Sequence, residues 1–288
     1  MMKIKKKPVQ IVIPGGRIRS LDILCNHLNH EKQYFDECFI WINTDYSDEV
    51  DFIKSIGKKY DFVKYIEPKP EWKIDTHSPA EGIACFINEY CNEDKLYIRL
   101  DDDICYIEKE AIKKLINHRK NSKDFLVYGN CINNDAISKI YLEHEIYTKN
   151  ILLNNDTHET FRMSGDVALK IHEMFSQDVM EKNQKKYYLP NLINIPNKNY
   201  CPVNVISFYG KDMKKIGPIP KNVNEEVFFN TSGDSYSICG NALFAHMFYC
   251  TQRGSLIKQH ESANNYSRKS CSKILETYEL YEKLLNFY

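Results

Sequence analysis

Through the first half of the chain, short apolar runs alternate with longer stretches that are apolar on one helical face only. "PVQIVIP" (8–14) predicts a buried strand closed by Gly15 and Gly16, and Leu21, Leu24, Cys25 and Leu28 then recur at the spacing of one helix face. "ECFIWIN" (37–43) predicts the next strand, Asp48 to Tyr60 a helix, and "FVKYIE" (62–67) a third strand. "SPAEGIACFINEYC" (78–91) predicts a helix with Ser78 as cap, Pro79 in the first helical position and Glu81 completing a capping box. Ile83, Phe86, Ile87 and Tyr90 supply its apolar face. "KLYIRL" (95–100) predicts a strand, Glu108 to Arg119 a polar-faced helix, and "DFLVYGNCI" (124–132) another strand. This rhythm predicts a three-layer α/β/α sandwich with a mostly parallel central sheet, Rossmann-like in layout. Ligands of such sheets bind beyond the carboxyl ends of the strands. Gly15-Gly16, Asn43-Thr44-Asp45 and Asp101 to Asp103 all fall there.

The pattern lapses over 135–200, where Asn, Lys and Tyr dominate. With no linker or repeat in view, that segment reads as an irregular insertion beside the site, inside one domain spanning 1–288. Pattern returns over 201–288 in "VNVISFYG", "NEEVFF" and "NALFAHMFY". A final helix is predicted from about residue 271, amphipathic through Ile274, Tyr278, Tyr281 and Leu285.

The chemistry concentrates in "KLYIRLDDDICYIE" (95–108), where three aspartates interrupt apolar residues. Adjacent carboxylates repel one another, and the apolar flanks argue against a freely solvated acidic turn. A hard divalent cation removes the repulsion, and Mg²⁺ or Mn²⁺ held by one or two carboxylates commonly bridges to substrate phosphates. If strand geometry persists, Asp101 and Asp103 point to one side. Asp103 is then the natural metal ligand, and Asp101 faces a ribose or a supporting partner.

Composition narrows the classes. Lys plus Arg and Asp plus Glu are each 39, so the formal charge is zero and a mainly electrostatic nucleic-acid or membrane-surface binder is disfavoured. The 10 cysteines include no C-x-x-C pair, which speaks against a zinc knuckle and for a reduced, cytoplasmic protein. The apolar run near the N-terminus is too short for a signal sequence, and no segment reaches the ~18 apolar residues of a membrane span.

"IVIPGGR", "WINTD", the helix before the acidic strand and "LYIRLDDDI" together resemble the nucleotide-sugar glycosyltransferases of the GT-A fold, and among them an uncharacterised branch. "NEEVFF" and "FAHMFYCTQR" extend the resemblance to about 1–134 and 222–256, while Asn224 stands where a third acidic residue is expected. The resemblance implies a nucleotide-sugar-binding half (1–134) and an acceptor and catalytic half (201–288). It implies that Pro14, Gly15 and Arg17 border the nucleotide, that Asn43 and Asp45 meet base or ribose, and that Asp101, Asp102 and Asp103 hold nucleotide and metal. Arg99 would steady the cluster or serve as an ordinary ion-pair partner.

For catalysis it points to Glu225 and Glu226, with Glu226 the better base because apolar "VFF" follows it. A histidine commonly joins such metal sites; His246 in "ALFAHMFY" is preferred over His260 in "KQHESANN". His27, His30, His118 and His144 read as surface residues. The implied cofactor is Mn²⁺ or Mg²⁺, the donor a nucleoside-diphosphate sugar with a UDP-sugar favoured, and the acceptor a glycan or other hydroxyl compound. No nucleic acid and no integral membrane segment are expected. Two alternatives remain open at this stage: a nucleotidyltransferase of related fold, and a non-catalytic sugar- or nucleotide-binding protein on a degenerate transferase scaffold.

Overall fold

The computed structural model describes residues 7–69, 79–190, 193–195, 200–220, 223–260 and 271–288. Among the described residues nine strands form one sheet: β1 (Val9–Gly15), β2 (Glu37–Ile42), β3 (Val63–Ile66), β4 (Leu96–Leu100), β5 (Ile104–Ile107), β6 (Leu126–Ile132), β7 (Ile193–Ile195), β8 (Val205–Tyr209) and β9 (Tyr236–His246). Their order is β3-β2-β1-β4-β8-β6-β9-β5, with β7 also on β9. Flanking helices complete a Rossmann-like α/β fold, as the alternating pattern predicts.

The parallel character is confined to two places. β3, β2, β1 and β4 pair in parallel, as do β6 and β9. β8 runs antiparallel between β4 and β6, and β5 and β7 run antiparallel to β9. Only three residues separate β4 from β5, although β5 lies four strand spacings away in the sheet order. Flat, those spacings would measure about 19 Å, whereas four residue steps reach at most about 14 Å. The sheet therefore curls until the end of β4 meets the start of β5. Asp101, Asp102 and Asp103 are the residues at that crossing.

One apolar cluster runs from Val9 to Leu284. β1 and β4 are buried along almost their whole length, which is why they read as continuous apolar runs rather than alternating ones. Helix α1 (Ile18–Glu31) buries Leu21, Leu24, Cys25 and Leu28 as predicted, and α2 (Ser47–Lys59) buries Ile53 and Ile56. Helix α3 (Pro79–Tyr90) matches the predicted segment, but its capping box at Ser78 and Glu81 lies outside the described residues.

Helix α4 (Ala111–Asn121) starts later than predicted. Glu110 takes a left-handed backbone, φ 63°, and the buried Glu31 carboxylate accepts from the N–H groups of Glu110 at 2.8 Å and Ile112 at 3.3 Å. A remote carboxylate thus takes up the orphan donors of this helix start, a role that local sequence does not show.

Residues 135–200 are more regular than their composition suggests. They hold α5 (Asp135–Glu143) and α6 (Gly165–Met180), and α6 buries Val167, Ala168, Ile171, Phe175 and Val179. A short π-helical turn (Glu159–Met163) precedes α6. Helices α7 (Gly210–Ile216), α8 (Glu225–Thr231), α9 (Cys250–His260) and α10 (Ser272–Leu284) complete the chain, and α6 packs against α9 and α10.

His27 corrects the surface reading: it is fully buried against Tyr106 and Tyr288. Among the described residues no cysteine forms a disulfide. Among the described residues no helix is long and apolar enough to cross a membrane.

Candidate active site

The C-terminal ends of β1, β2, β4 and β9 surround a cleft of about 410 Å³, closed on one side by the start of α8. Its lining includes Pro14, Arg17, Asn43, Arg99, Asp101, Asp102, Asp103, Glu225, Glu226 and His246. Residues far apart in sequence meet there because parallel strands end on the same side of the sheet.

The three aspartates divide their work. Asp102 is buried, and its Oδ2 accepts from the backbone N–H groups of Gly16 at 2.8 Å and Arg17 at 2.9 Å, with Arg17 Nη1 3.3 Å from Oδ1. Its oxygens are spent on fastening the turn after β1 to the end of β4. Asp103 is also buried; one oxygen accepts from Arg17 Nη1 and the other lies 3.2 Å from His246 Nε2 without hydrogen-bond geometry. Asp101 is partly open, 2.6 Å from Arg99 Nη1, and accepts from Asn204 Nδ2 at 2.7 Å.

The electrostatics follow this arrangement. Burial holds the Asp102 carboxyl above the usual carboxylate range against the pull of Arg17. Burial works in the same direction on Asp103, but Arg17, His246 and Arg253 outweigh it and hold that group below the usual range.

Asp101, Asp103 and His246 each bring one donor atom to within 4.8 Å of the others. His246 is buried, and its Nδ1 has no hydrogen-bond partner among the described residues. β9 delivers it: His246 pairs in register with Ile104, and the Met247 N–H donates to the Asp103 carbonyl at 2.9 Å. Two carboxylates and an imidazole suit a divalent cation of the Mn²⁺ or Mg²⁺ type, with the imidazole favouring the softer Mn²⁺. The side chain of His260, the competing histidine, lies outside the described residues.

Opposite this cluster, Arg99 is buried and bridges two elements, donating to the Val203 carbonyl at 2.5 Å and to Glu225 Oε1 at 3.3 Å. Glu225 is thereby committed to an internal ion pair. Glu226 is more open, and its Oε1 accepts from the Val203 N–H at 3.2 Å. Burial raises both carboxyl groups above their ordinary range, with Arg99 opposing the shift at Glu225 and Tyr200 opposing it at Glu226. Asn224, expected to be acidic, caps α8 by accepting from the Glu226 N–H at 2.8 Å.

Two expected residues stand away from the cleft. Asp45 is exposed and not part of its lining, where Thr44 is found instead, bonded to Glu49. Gly15 is packed inward: a Cβ there would lie 2.6 Å from Ile40 Cγ2, and it is Gly16 that faces the cleft.

Sequence reasoning missed Asn204, Tyr249 and Arg162. Tyr249 links the walls, its hydroxyl 3.3 Å from Asn204 Oδ1 and its ring 4.7 Å from that of His246. Arg162 comes from the π-helical turn and lies 3.9 Å over the Tyr249 ring. The aromatic-Tyr spacing in "MFYCTQR" was a usable signal for Tyr249; Arg162, inside a patternless stretch, gave none.

No known family model matches the chain, and no curated protein matches it. Among solved structures it is similar to a 4-diphosphocytidyl-2C-methyl-D-erythritol synthase from Anaerococcus prevotii, at 12% identity and TM-score 0.40, over 96% of this chain and 99% of that one. It is also similar to a mannosyltransferase from Pyrobaculum calidifontis in complex with GDP-Man and Mn²⁺, at 8% identity and TM-score 0.47, over 98% of this chain and 72% of that one.

Proposed function

We propose that the protein is a metal-dependent glycosyltransferase that moves a sugar from a nucleoside-diphosphate sugar to a hydroxyl acceptor. The observation that carries this reading is a single cleft holding both the Asp101, Asp103 and His246 donor set and a separate, desolvated carboxylate, Glu226. Asp103 Oδ1, buried without a hydrogen-bond partner among the described residues and 3.2 Å from His246 Nε2, fits a cation. When bound, Mn²⁺ or Mg²⁺ would neutralise the charge of a departing diphosphate.

The chain's own residues supply the rest. Asn43 and Gly16 border the donor side of the cleft, and Asp102 fixes the turn that carries Arg17 towards the phosphates. Glu226 accepts the proton of the acceptor hydroxyl. That oxygen then bonds to the anomeric carbon as the bond to the diphosphate oxygen breaks, with inversion. Burial keeps Glu226 basic enough for this task and Glu225, paired to Arg99, keeps the arginine in place. The nucleotidyltransferase alternative requires backbone N–H groups after the first strand to cradle a triphosphate. Those of Gly16 and Arg17 already donate to Asp102, which weighs against it.

The test is a thermal-shift and hydrolysis screen with UDP-, GDP- and CDP-sugars, in Mn²⁺ and in EDTA. A nucleotide should stabilise the protein only with metal, and Asp103→Ala should abolish the effect. Glu226→Gln should keep nucleotide binding and lose about 10²–10⁴-fold in transfer rate. No stabilisation by any nucleotide in either metal state sinks the reading.

A further inference from the structure

Among the described residues three arginines line the cleft, and two are matched by carboxylates: Arg17 by Asp102 and Asp103, Arg99 by Asp101 and Glu225. Arg162 is different. Among the described residues no carboxylate lies within ion-pair distance of it, and its Nη1 is shielded from water without a hydrogen-bond acceptor. The guanidinium is held flat over Tyr249, 3.9 Å from the ring centroid, and Tyr249 is itself fixed through Asn204 Oδ1 at 3.3 Å and the Asp135 N–H at 3.4 Å. Thr251 Oγ1 donates to the Arg162 carbonyl at 2.6 Å, which ties the π-helical turn to α9.

A preorganised planar cation with no internal counter-ion is the usual device for receiving a carboxylate or phosphate. Its position selects which ligand brings that anion. The charge of Arg162 is felt by Glu226, Asp135 and Tyr200, whereas Asp102 and Asp103 answer to Arg17, with His246 and Arg253. The donor diphosphate belongs with the metal cluster and Arg17. Arg162 and Glu226 line the same cleft, and the charge of Arg162 acts on that proposed base.

Resting on the glycosyltransferase reading, we propose that Arg162 binds an anionic group on the acceptor, so that the acceptor is an acidic saccharide or phosphosaccharide rather than a neutral one. Carboxylate and phosphate ester share the chemistry that the guanidinium recognises.

The probes are glucuronic acid, glucose 6-phosphate and glucose, titrated into the full chain in EDTA with binding followed by calorimetry or saturation-transfer NMR. At least one charged probe should bind about tenfold or more tighter than glucose. Arg162→Gln should erase that preference, and Arg162→Lys, which keeps the charge and loses the planar fork, should retain part of it. The better of the two charged probes identifies the anion as carboxylate or phosphate. Equal binding of all three probes by wild type overturns the proposal. So does an Arg162→Gln protein that stays folded and loses the stabilisation by nucleotide and Mn²⁺, because Arg162 would then serve the donor. Wild type without any nucleotide response refutes the transferase reading instead, and the preference for charged probes, measured without nucleotide, is scored separately.

Discussion

Replacing Asp102 with alanine takes the acceptor away from two backbone donors, the N–H groups of Gly16 and Arg17 at 2.8 and 2.9 Å. A buried donor left unpaired costs about 1–3 kcal/mol. Arg17 is 48% exposed, so water replaces part of its loss, and the total comes to about 3 kcal/mol. In a chain of this size each kcal/mol moves the melting temperature by about 2 °C, so Asp102→Ala should melt about 6 °C lower. Asp102→Asn keeps a neutral acceptor and should lose about half as much. Its Mn²⁺ affinity, measured by electron paramagnetic resonance, should fall less than about tenfold, because Asp102 acts on the donor set only through Arg17. In Asp103→Asn, which alters the proposed ligand, it should fall at least about tenfold further. An Asp102→Asn protein with unchanged melting and no Mn²⁺ binding would make Asp102 a ligand and refute the division of roles.

The buried His27 predicts a pH effect. Burial lowers its pKa from about 6.5 to about 3, so below pH 6.5 the unfolded chain takes up a proton that the folded chain refuses, and stability falls with falling pH. The slope approaches about 1.4 kcal/mol per pH unit well below pH 6.5, which integrates to about 2.3 kcal/mol between pH 6.5 and 4.5. His27→Phe should remove that share from the difference between urea midpoints at the two pH values; parallel curves for variant and wild type would contradict the assignment. Gly15→Ala should destabilise by about 1–3 kcal/mol in urea, since its Cβ meets Ile40 at 2.6 Å in the core, and a neutral result would mean that Ile40 moves freely. Asn130 donates to the Tyr187 and Gly240 carbonyls at 2.8 Å each and accepts from Tyr141 at 2.6 Å. Asn130→Ala should cost about 3 kcal/mol or more by chemical denaturation, and a loss below about 1 kcal/mol would show that the network is not cooperative.

The parallel half of the sheet was legible because β1 and β4 are buried along almost their whole length and α1 keeps strict helical spacing. The direction of β8 was not. An antiparallel strand buried on both faces presents the same apolar run as a parallel one, and only the partners distinguish them. His27 was legible in principle, since it stands three residues after Leu24 and one before Leu28 on the buried face of α1, but its polar neighbours in sequence masked that face. Within the triplet, three identical side chains differ only in where the backbone turns them, so the fastening role of Asp102 had to come from the structure. Arg162 owes its place to a single turn of π-helix, which no residue pattern marks.

Arg17 also bears on how the molecule is made. The residues of the acidic cluster enter the growing chain in the order Arg17, then Asp101 to Asp103, then His246. On the ribosome the carboxylates therefore exist long before their imidazole partner, and any cation they captured early would sit in an incomplete cage. Arg17 is the cation already at hand, bonded to Asp103 through its side chain and to Asp102 through its backbone. A built-in counter-ion of this kind compensates the carboxylates of the first strands before His246 is made.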